Sequence, residues 1–218
     1  TGPELSELVV MIIRTNDLPP ISVQEAISLK PPAYYWRAIT YDEYTGHGWQ
    51  TTPTLNYVYD AGEPALEELP PASAALRIVN QQVEFTQDLG GLLYATGELI
   101  TVNQNYKVAW RLPIEQGADP YGITLQSTSY RAQSLITSPS IPQLRQASQE
   151  YPQWIQQRYL QLPDVLPARV RQLAGELTAG AFSAYDMAQA IETYLRSFTY
   201  TLDVAPAPPD RDVADYFL

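Results

Sequence analysis

A helical pattern of apolar residues near the C-terminus is the clearest periodicity in the chain. Ser183 precedes the pattern and Asp186 follows three positions later, which predicts a helix N-cap with a capping-box partner. Because polar residues such as Thr193 fall on the opposite face, we predict that a helix over residues 183–198 packs on a core. The apolar stripe of this helix consists of Met187, Ala190, Ile191, Tyr194, Leu195 and Phe198.

Strand patterns dominate the first two thirds of the chain. Residues 8–13 form a continuous apolar run, which predicts a strand buried on both faces. Residues 76–86 alternate between apolar and polar side chains, as expected for a strand with one buried face. Regularly spaced short strands of this kind indicate a sandwich or a strongly bent antiparallel sheet. The other predicted strands cover residues 35–41, 99–102, 106–112 and 121–125, and a turn at residues 45–48 leads into a return strand at Trp49.

After residue 138 a helical period replaces the strand period. Further helices are predicted over residues 144–150, 152–158 and 167–177. We therefore predict an α+β fold with a β-rich module over residues 1–140 and a helical segment over residues 141–218. The chain ends on Tyr216-Phe217-Leu218, and these apolar side chains need a partner. We interpret the helical segment as the start of a truncated domain.

Composition and charge exclude several classes of function. The chain has 218 residues, 24 of them acidic and 13 basic, for a net charge of −11. This balance argues against nucleic-acid binding and against contact with an anionic membrane surface. The chain contains no cysteine, which excludes a disulfide, a thiolate metal site and a cysteine nucleophile within it. Its longest apolar run, residues 8–13, is too short to span a bilayer.

Few residues are candidates for catalysis or metal binding. His47 is the only histidine and lies between two glycines, so we interpret it as a turn residue. Four aspartates near the C-terminus carry oxygen ligands that calcium accepts, but they lack the alternating order and the distal glutamate of a calcium loop. We therefore predict no catalytic residue, no metal and no cofactor in this chain. The four aspartates are Asp203, Asp210, Asp212 and Asp215.

A band of eight aromatic residues between positions 34 and 59 is the one contested site. Trp and Tyr side chains on a sheet can stack against sugar rings, but they more commonly pack in a β core. We expect Trp36 and Trp49 to be mostly buried. We keep Trp36, Tyr41, Tyr44 and Trp49 as candidates for a glycan or domain contact. The band consists of Tyr34, Tyr35, Trp36, Tyr41, Tyr44, Trp49, Tyr57 and Tyr59.

Two separate stretches of the chain resemble one protein family. Residues 188–218 contain Ala-x-Ala-Ile-Glu-x-Tyr-Leu-Arg, then Phe-x-Tyr-Thr-Leu, a proline-rich loop and Asp-Tyr-Phe-Leu. This order resembles the opening of a bacterial transglutaminase-like core. The second stretch resembles a signature of the extracytoplasmic region in membrane-bound bacterial transglutaminase-like proteins. It consists of Tyr35-Trp36-Arg37 and Tyr41-Asp42-x-Tyr44-x-Gly46-x-Gly48-Trp49.

The resemblance implies a papain-like core whose nucleophile is a cysteine in a Gly-x-Cys motif, a short gap after the Phe-Leu pair. A histidine and an aspartate further along complete the triad in that family. None of these residues has a counterpart in this chain, so we expect the chain alone to catalyse no reaction. The resemblance also implies an extracytoplasmic location, with the membrane reached only through flanking segments.

The expected function is that of a non-catalytic N-terminal portion with a structural or access-governing role. In the longer protein that the resemblance implies, the cysteine transfers acyl groups from glutamine side chains or peptide bonds to an amine or to water. The partner of this chain is then its own C-terminal catalytic segment, with a protein substrate or cell-wall glycan in addition. Two alternatives stay open, a cell-wall glycan-binding module and a structural spacer. Exposure of Trp36 or Trp49 beside other aromatic residues favours the glycan-binding module.

Overall fold

The computed structural model of the protein describes residues 6–17, 22, 24, 33–66, 76–114 and 119–218. It combines antiparallel sheets with helices, which confirms the α+β class. The strands are β1 Met11–Thr15, β2 Trp36–Arg37, β3 Glu43–Tyr44, β4 Trp49–Gln50, β5 Thr54–Tyr59, β6 Leu76–Phe85, β7 Ala95–Thr96, β8 Glu98–Val102, β9 Tyr106–Arg111, β10 Pro120–Thr124 and β11 Ser129–Thr137. The helices are α1 Ile141–Gln146, α2 Gln153–Tyr159, α3 Ala168–Thr178, α4 Ala184–Leu195 and α5 Val213–Phe217. Within the described residues, no helix has the length and apolar character needed to cross a membrane.

The chain forms two compact units that are interleaved in sequence. The sheet unit comprises Leu8–Thr40 and Pro53–Ser138. The helical unit contains Tyr41–Thr52 and Pro139–Leu218. The domain bounds at 140 and 141 stay a prediction, and the structure adds that residues 41–52 group with the C-terminal helices.

The sheet unit is built on a four-stranded antiparallel sheet with strand order β1-β6-β11-β8. A three-stranded sheet has the order β10-β9-β5, and β2 pairs with β7. Val79 and Val83 of β6 are buried while Asn80 and Gln82 are exposed, which confirms the alternation predicted for this strand. The core between the sheets is apolar and aromatic, and includes Val83, Leu93, Val108, Trp110, Ile123 and Tyr130.

The prediction for residues 8–13 is wrong in its burial. The strand is β1, and it lies at the edge of the four-stranded sheet with β6 as its neighbour. Leu8 is 68% exposed and Ile12 is 40% exposed. An apolar run predicts extended backbone, but it does not encode how many strands or layers will cover it. The predicted strand over 35–41 is shorter than expected, with β2 covering only Trp36–Arg37.

A buried ion pair joins the end of β9 to two neighbouring segments of the sheet unit. The side chain of Arg111 is fully buried, and its Nη1 atom lies 2.9 Å from Oδ1 of Asp119. Nη2 donates to the hydroxyl of Thr40 at 3.0 Å. Because a buried charge is tolerated only when it is paired and hydrogen-bonded, this cluster holds the segment after β2 and the segment before β10 in place.

Helix α4 begins where the capping pattern predicts. Ser183 accepts a hydrogen bond from the backbone N of Asp186 at 3.1 Å, and its hydroxyl donates to the carboxylate of Asp186 at 2.7 Å. The packing face differs from the predicted stripe. Ile191 is half-buried, whereas Leu195 is 41% exposed and Phe198 lies beyond the helix end. The expectation that Leu195 and Phe198 pack in a core is wrong. The residues that cover the helix near Ile191 do not extend far enough to bury these two side chains.

The difference in burial predicts how strongly each of three alanine substitutions in α4 lowers the free energy of unfolding. Ile191→Ala should be the most costly. Leu195→Ala should lower the free energy of unfolding by about 1–2 kcal/mol, because part of that side chain is already in water. Thr193→Ala, on the exposed face, should change it by less than about 0.5 kcal/mol. Urea denaturation followed by circular dichroism measures all three, and a cost for Leu195→Ala above that for Ile191→Ala would contradict this packing.

Candidate functional site

The glycine-containing motif near residue 46 folds into a short antiparallel hairpin, here called the motif hairpin and defined as residues 41–52. Strands β3 and β4 pair with Tyr44 opposite Trp49. The backbone N of Thr45 donates to the carbonyl of Gly48 at 3.0 Å and closes the turn. Gly46 has φ +83° and Gly48 has φ +149°, a region of backbone space that favours glycine. The predicted turn and the return strand from Trp49 are both confirmed.

Gly46 lies directly against the C-terminal end of the chain. The backbone N of Val213 donates to the carbonyl of Gly46 at 2.8 Å. A Cβ atom at position 46 would lie 3.2 Å from Oδ2 of Asp212, closer than side chains normally approach. Glycine is therefore favoured here twice, by the backbone conformation and by the close carboxylate.

Tyr44 and Asp212 connect the motif hairpin to helix α5. The hydroxyl of Tyr44 donates to Oδ1 of Asp212 at 3.0 Å. The same oxygen accepts the backbone N of Ala214 at 2.9 Å and that of Asp215 at 3.0 Å, so Asp212 is the N-cap of α5. Burial and the adjacent Asp212 carboxylate raise the pKa of the Tyr44 phenol, which keeps this hydroxyl a donor.

Asp42 attaches the other side of the motif hairpin to helix α2. Its side chain is buried and accepts the backbone N of Thr52 at 2.9 Å and the Thr52 hydroxyl at 2.6 Å. Nε of Arg158 lies 3.8 Å from Oδ2 of Asp42, and both side chains are nearly inaccessible to solvent. Gln161 donates from Nε2 to the carbonyl of Asp42 at 3.2 Å. The motif hairpin is therefore fixed within the helical unit by polar contacts on two sides.

The four aromatic candidates are only partly brought together. Tyr44 is buried and contacts Trp49, with 5.3 Å between the ring centroids. Trp49 is 61% exposed and Tyr41 is 45% exposed, so the expected burial of Trp49 is wrong. One side of the Trp49 ring packs on Tyr44 and the rest faces solvent, because a two-stranded hairpin has no further strand to cover it. Trp36 belongs to the sheet unit, where it is half-buried and packs near Tyr34.

The aspartates considered as calcium ligands have other roles where the structure gives them partners. Asp212 caps α5, and Asp215 forms ion pairs with Nε of Arg169 and Nη2 of Arg211, each at 2.8 Å. Within the described part of the chain, no group of three or more His, Asp and Glu side chains is arranged to hold a metal ion. His47 is exposed at the tip of the motif hairpin.

The ion pairs of Asp215 predict that the C-terminal helix is weakened by acid. The bonds from Arg169 and then from Arg211 hold the pKa of the Asp215 carboxyl below its usual value. A carboxyl with a depressed folded-state pKa contributes stability above the unfolded value of about 3.9, and this contribution is lost as the pH falls further. Wild-type protein should therefore lose more thermal stability between pH 6 and pH 3 than Arg169→Gln does.

Arg171→Gln provides the matched control for this comparison. Arg171 lies on the same helix, and its Nη2 donates to the carbonyl of Pro163. The variant should keep the wild-type dependence on pH. Identical pH dependence in wild type and Arg169→Gln would contradict the assigned cause of the Asp215 shift.

Comparisons with known proteins point to an uncharacterized relative and to no assigned activity. No family model matches the chain, and no solved structure matches it. The uncharacterized protein YebA of Bacillus subtilis is similar, with 31% identity over 204 residues, covering 84% of this chain and 27% of the relative. The chain therefore spans about a quarter of the length of that curated relative.

Proposed function

We propose that this chain is the non-catalytic, extracytoplasmic N-terminal part of a transglutaminase-like cysteine enzyme tethered to a membrane through flanking segments. The observation that supports the proposal is the contact between Tyr44 and Asp212, which are 168 positions apart in sequence. Tyr44 belongs to one stretch that resembles the family and Asp212 to the other. A long-range contact between the two stretches is expected if both serve one structural purpose.

In this proposal the motif hairpin holds the segment that leads into the catalytic residues. Helix α5 and the residue that follows it, Leu218, contain the Asp-Tyr-Phe-Leu run, after which the family has its Gly-x-Cys motif. The bonds of Gly46, Tyr44 and Asp212 fix the start of α5, and with it the direction of the chain that follows. Accurate placement of the nucleophile contributes a large part of the rate acceleration by an enzyme, and a small displacement of the nucleophile lowers the rate strongly.

The chemistry itself would belong to residues outside this chain. A cysteine thiolate would attack the carbonyl carbon of a glutamine carboxamide, the C–N bond would break, and the departing nitrogen would take a proton from the triad histidine and leave as ammonia. The resulting thioester is then attacked by an amine or by water, which restores the thiolate. The residues of this chain contribute position and access, and they touch none of the reacting atoms.

An exposed aromatic cluster in the helical unit supports a partner for this surface. The ring of Phe198 lies 5.2 Å from Tyr194 and 5.4 Å from Phe217, measured between centroids. Phe198 is 36% exposed and Phe217 is 57% exposed. Contiguous exposed apolar groups of this kind mark contact surfaces, and the remainder of a transglutaminase-like core would cover them.

The coding sequence after Leu218 tests the family assignment. We expect a Gly-x-Cys motif within about thirty codons, followed by a histidine and an aspartate. The protein that includes it should release ammonia from a glutamine peptide, and alkylation of its thiols should stop the release. This chain alone should release none. An open reading frame without that cysteine, or ammonia release by this chain alone above a heat-killed control, would refute the assignment.

Recognition of cell-wall glycan is a second candidate function, because Trp49 is exposed beside Tyr44 and Tyr41 is exposed nearby on the same hairpin. A pull-down with insoluble cell-wall glycan should retain the wild-type chain and lose Trp49→Ala. Tyr35→Ala is the matched control, because Tyr35 is 86% exposed but belongs to the sheet unit. Equal retention of Trp49→Ala and wild type would rule out this role for the motif hairpin.

A further inference from the structure

The exposed face of the four-stranded sheet contains a hollow of about 660 Å³ within the sheet unit, lined mostly by residues with polar side chains. Side chains from β1, β6 and β11 line it, together with residues at the end of β8. The volume lies in the range of small-molecule sites. The lining is rich in asparagine, glutamine and arginine, and lacks aromatic and large aliphatic side chains apart from Val102.

The strand register places the polar side chains in two rows across the sheet. In the first row Gln82 lies opposite both Arg14 and Arg131. In the second row Asn80 lies opposite Gln133, whose Nε2 donates to Oδ1 of Asn80 at 2.9 Å. Neighbouring strands are about 5 Å apart, so the two arginines of the first row start about 10 Å apart on one face.

One of the two arginines is already neutralised and the other is not. Nη1 of Arg14 lies 2.8 Å from Oε1 of Glu84, and the same oxygen accepts Nε2 of Gln82 at 2.9 Å. Among the described residues, the guanidinium of Arg131 has no carboxylate partner. Acidic residues outnumber basic residues in this chain by 24 to 13. The Arg131 guanidinium is nevertheless not paired with any of the described carboxylates, so it is available to an external anion.

A second group in the hollow also lacks a partner. The hydroxyl of Thr101 is buried and makes no hydrogen bond within the described part of the chain. Thr101 lies opposite Gln133 and lines the same hollow. A buried hydroxyl normally has a partner, so Thr101 is a group that a ligand in the hollow would satisfy once the neighbouring side chains move to admit it.

We propose that this hollow binds an oligosaccharide that carries a carboxylate, with Arg131 paired to the carboxylate. A guanidinium matches a carboxylate with two parallel hydrogen bonds. The amides of Gln82, Asn80 and Gln133 both donate and accept, as sugar hydroxyl groups do. Glu84 adds a negative charge beside the hollow, which disfavours doubly charged phosphate relative to a singly charged carboxylate.

The binding test uses two carboxylated probes, 3′-sialyllactose and trigalacturonate, titrated into the protein at low salt by calorimetry. At least one probe should bind, and Arg131→Gln should weaken its binding about tenfold or more, as expected for the loss of a charge-assisted bond. Lys107→Gln removes the same charge from an exposed position on β9, in the other sheet, and should leave the affinity unchanged. The methyl ester of the bound probe should bind about tenfold more weakly than the free acid.

Three results would overturn the proposal. The first is binding of neither probe. The second is an equal loss of affinity in Arg131→Gln and Lys107→Gln, which would indicate an effect of net charge alone. The third is displacement of the bound probe by inorganic phosphate at equal concentration, which would indicate a general anion site.

Discussion

Replacing Arg111 with alanine is expected to lower the free energy of unfolding by about 3–5 kcal/mol. The substitution removes a fully buried side chain and leaves Asp119, which is also largely inaccessible, without the guanidinium 2.9 Å away. Breaking a buried ion pair by removing one partner has a cost of this size, because the remaining charge is desolvated and uncompensated. The Thr40 hydroxyl loses its donor as well.

Lys107→Ala is the control for this prediction, because Lys107 lies on the same strand, β9, and is exposed. It should change the free energy of unfolding by no more than about 0.5 kcal/mol. Urea denaturation followed by circular dichroism measures both variants. A cost below about 1 kcal/mol for Arg111→Ala would mean that Arg111 and Asp119 are not buried together.

Asp42→Ala should destabilise the helical unit by a similar amount, about 3–5 kcal/mol. The carboxylate accepts two hydrogen bonds from Thr52 and opposes the charge of Arg158, and its side chain is buried. Without it, the motif hairpin loses its attachment to helix α2. Amides of the hairpin should then exchange with solvent faster.

Glu43→Ala is the matched control, one residue away on the same hairpin. Glu43 accepts a hydrogen bond from Gln50 on the exposed surface, where such contacts contribute little. It should shift the denaturation midpoint far less than Asp42→Ala. Equal midpoints would show that the contact between Asp42 and Arg158 does not hold the hairpin.

The elements that the sequence predicts well are those set by local signals. The alternation of β6, the glycine turn at Gly46 and the cap at Ser183 each depend on residues within a few positions of one another. Periodicity and capping chemistry act over such distances, so they can be recognised without knowledge of the fold. The same local signals support the α+β class.

The misjudged features depend on which surfaces meet. The burial of Trp49 and Leu195 and the edge position of β1 follow from neighbours that are distant in sequence. An apolar side chain at the right period shows which face an element prefers to bury. It does not show where the covering surface ends.

The candidate site divides in the same way. Asp212 precedes Asp215 by three positions, the spacing of an N-cap and its partner, so the cap of α5 was accessible from the sequence. The contact between Tyr44 and Asp212 and the pairing of Asp42 with Arg158 carry no such signal. They join residues more than a hundred positions apart, and only the folded chain brings them together.

The measurement that tests the proposed function most directly is the turnover of a glutamine peptide by the full-length protein, comparing wild type with Tyr44→Phe. The substitution removes only the hydroxyl that donates to Asp212. If the motif hairpin positions the catalytic segment, ammonia release should depend on a free thiol, and Tyr44→Phe should lower kcat about tenfold or more while Glu43→Gln keeps wild-type kcat. Ammonia release that survives thiol alkylation, or an unchanged kcat in Tyr44→Phe, would contradict the account.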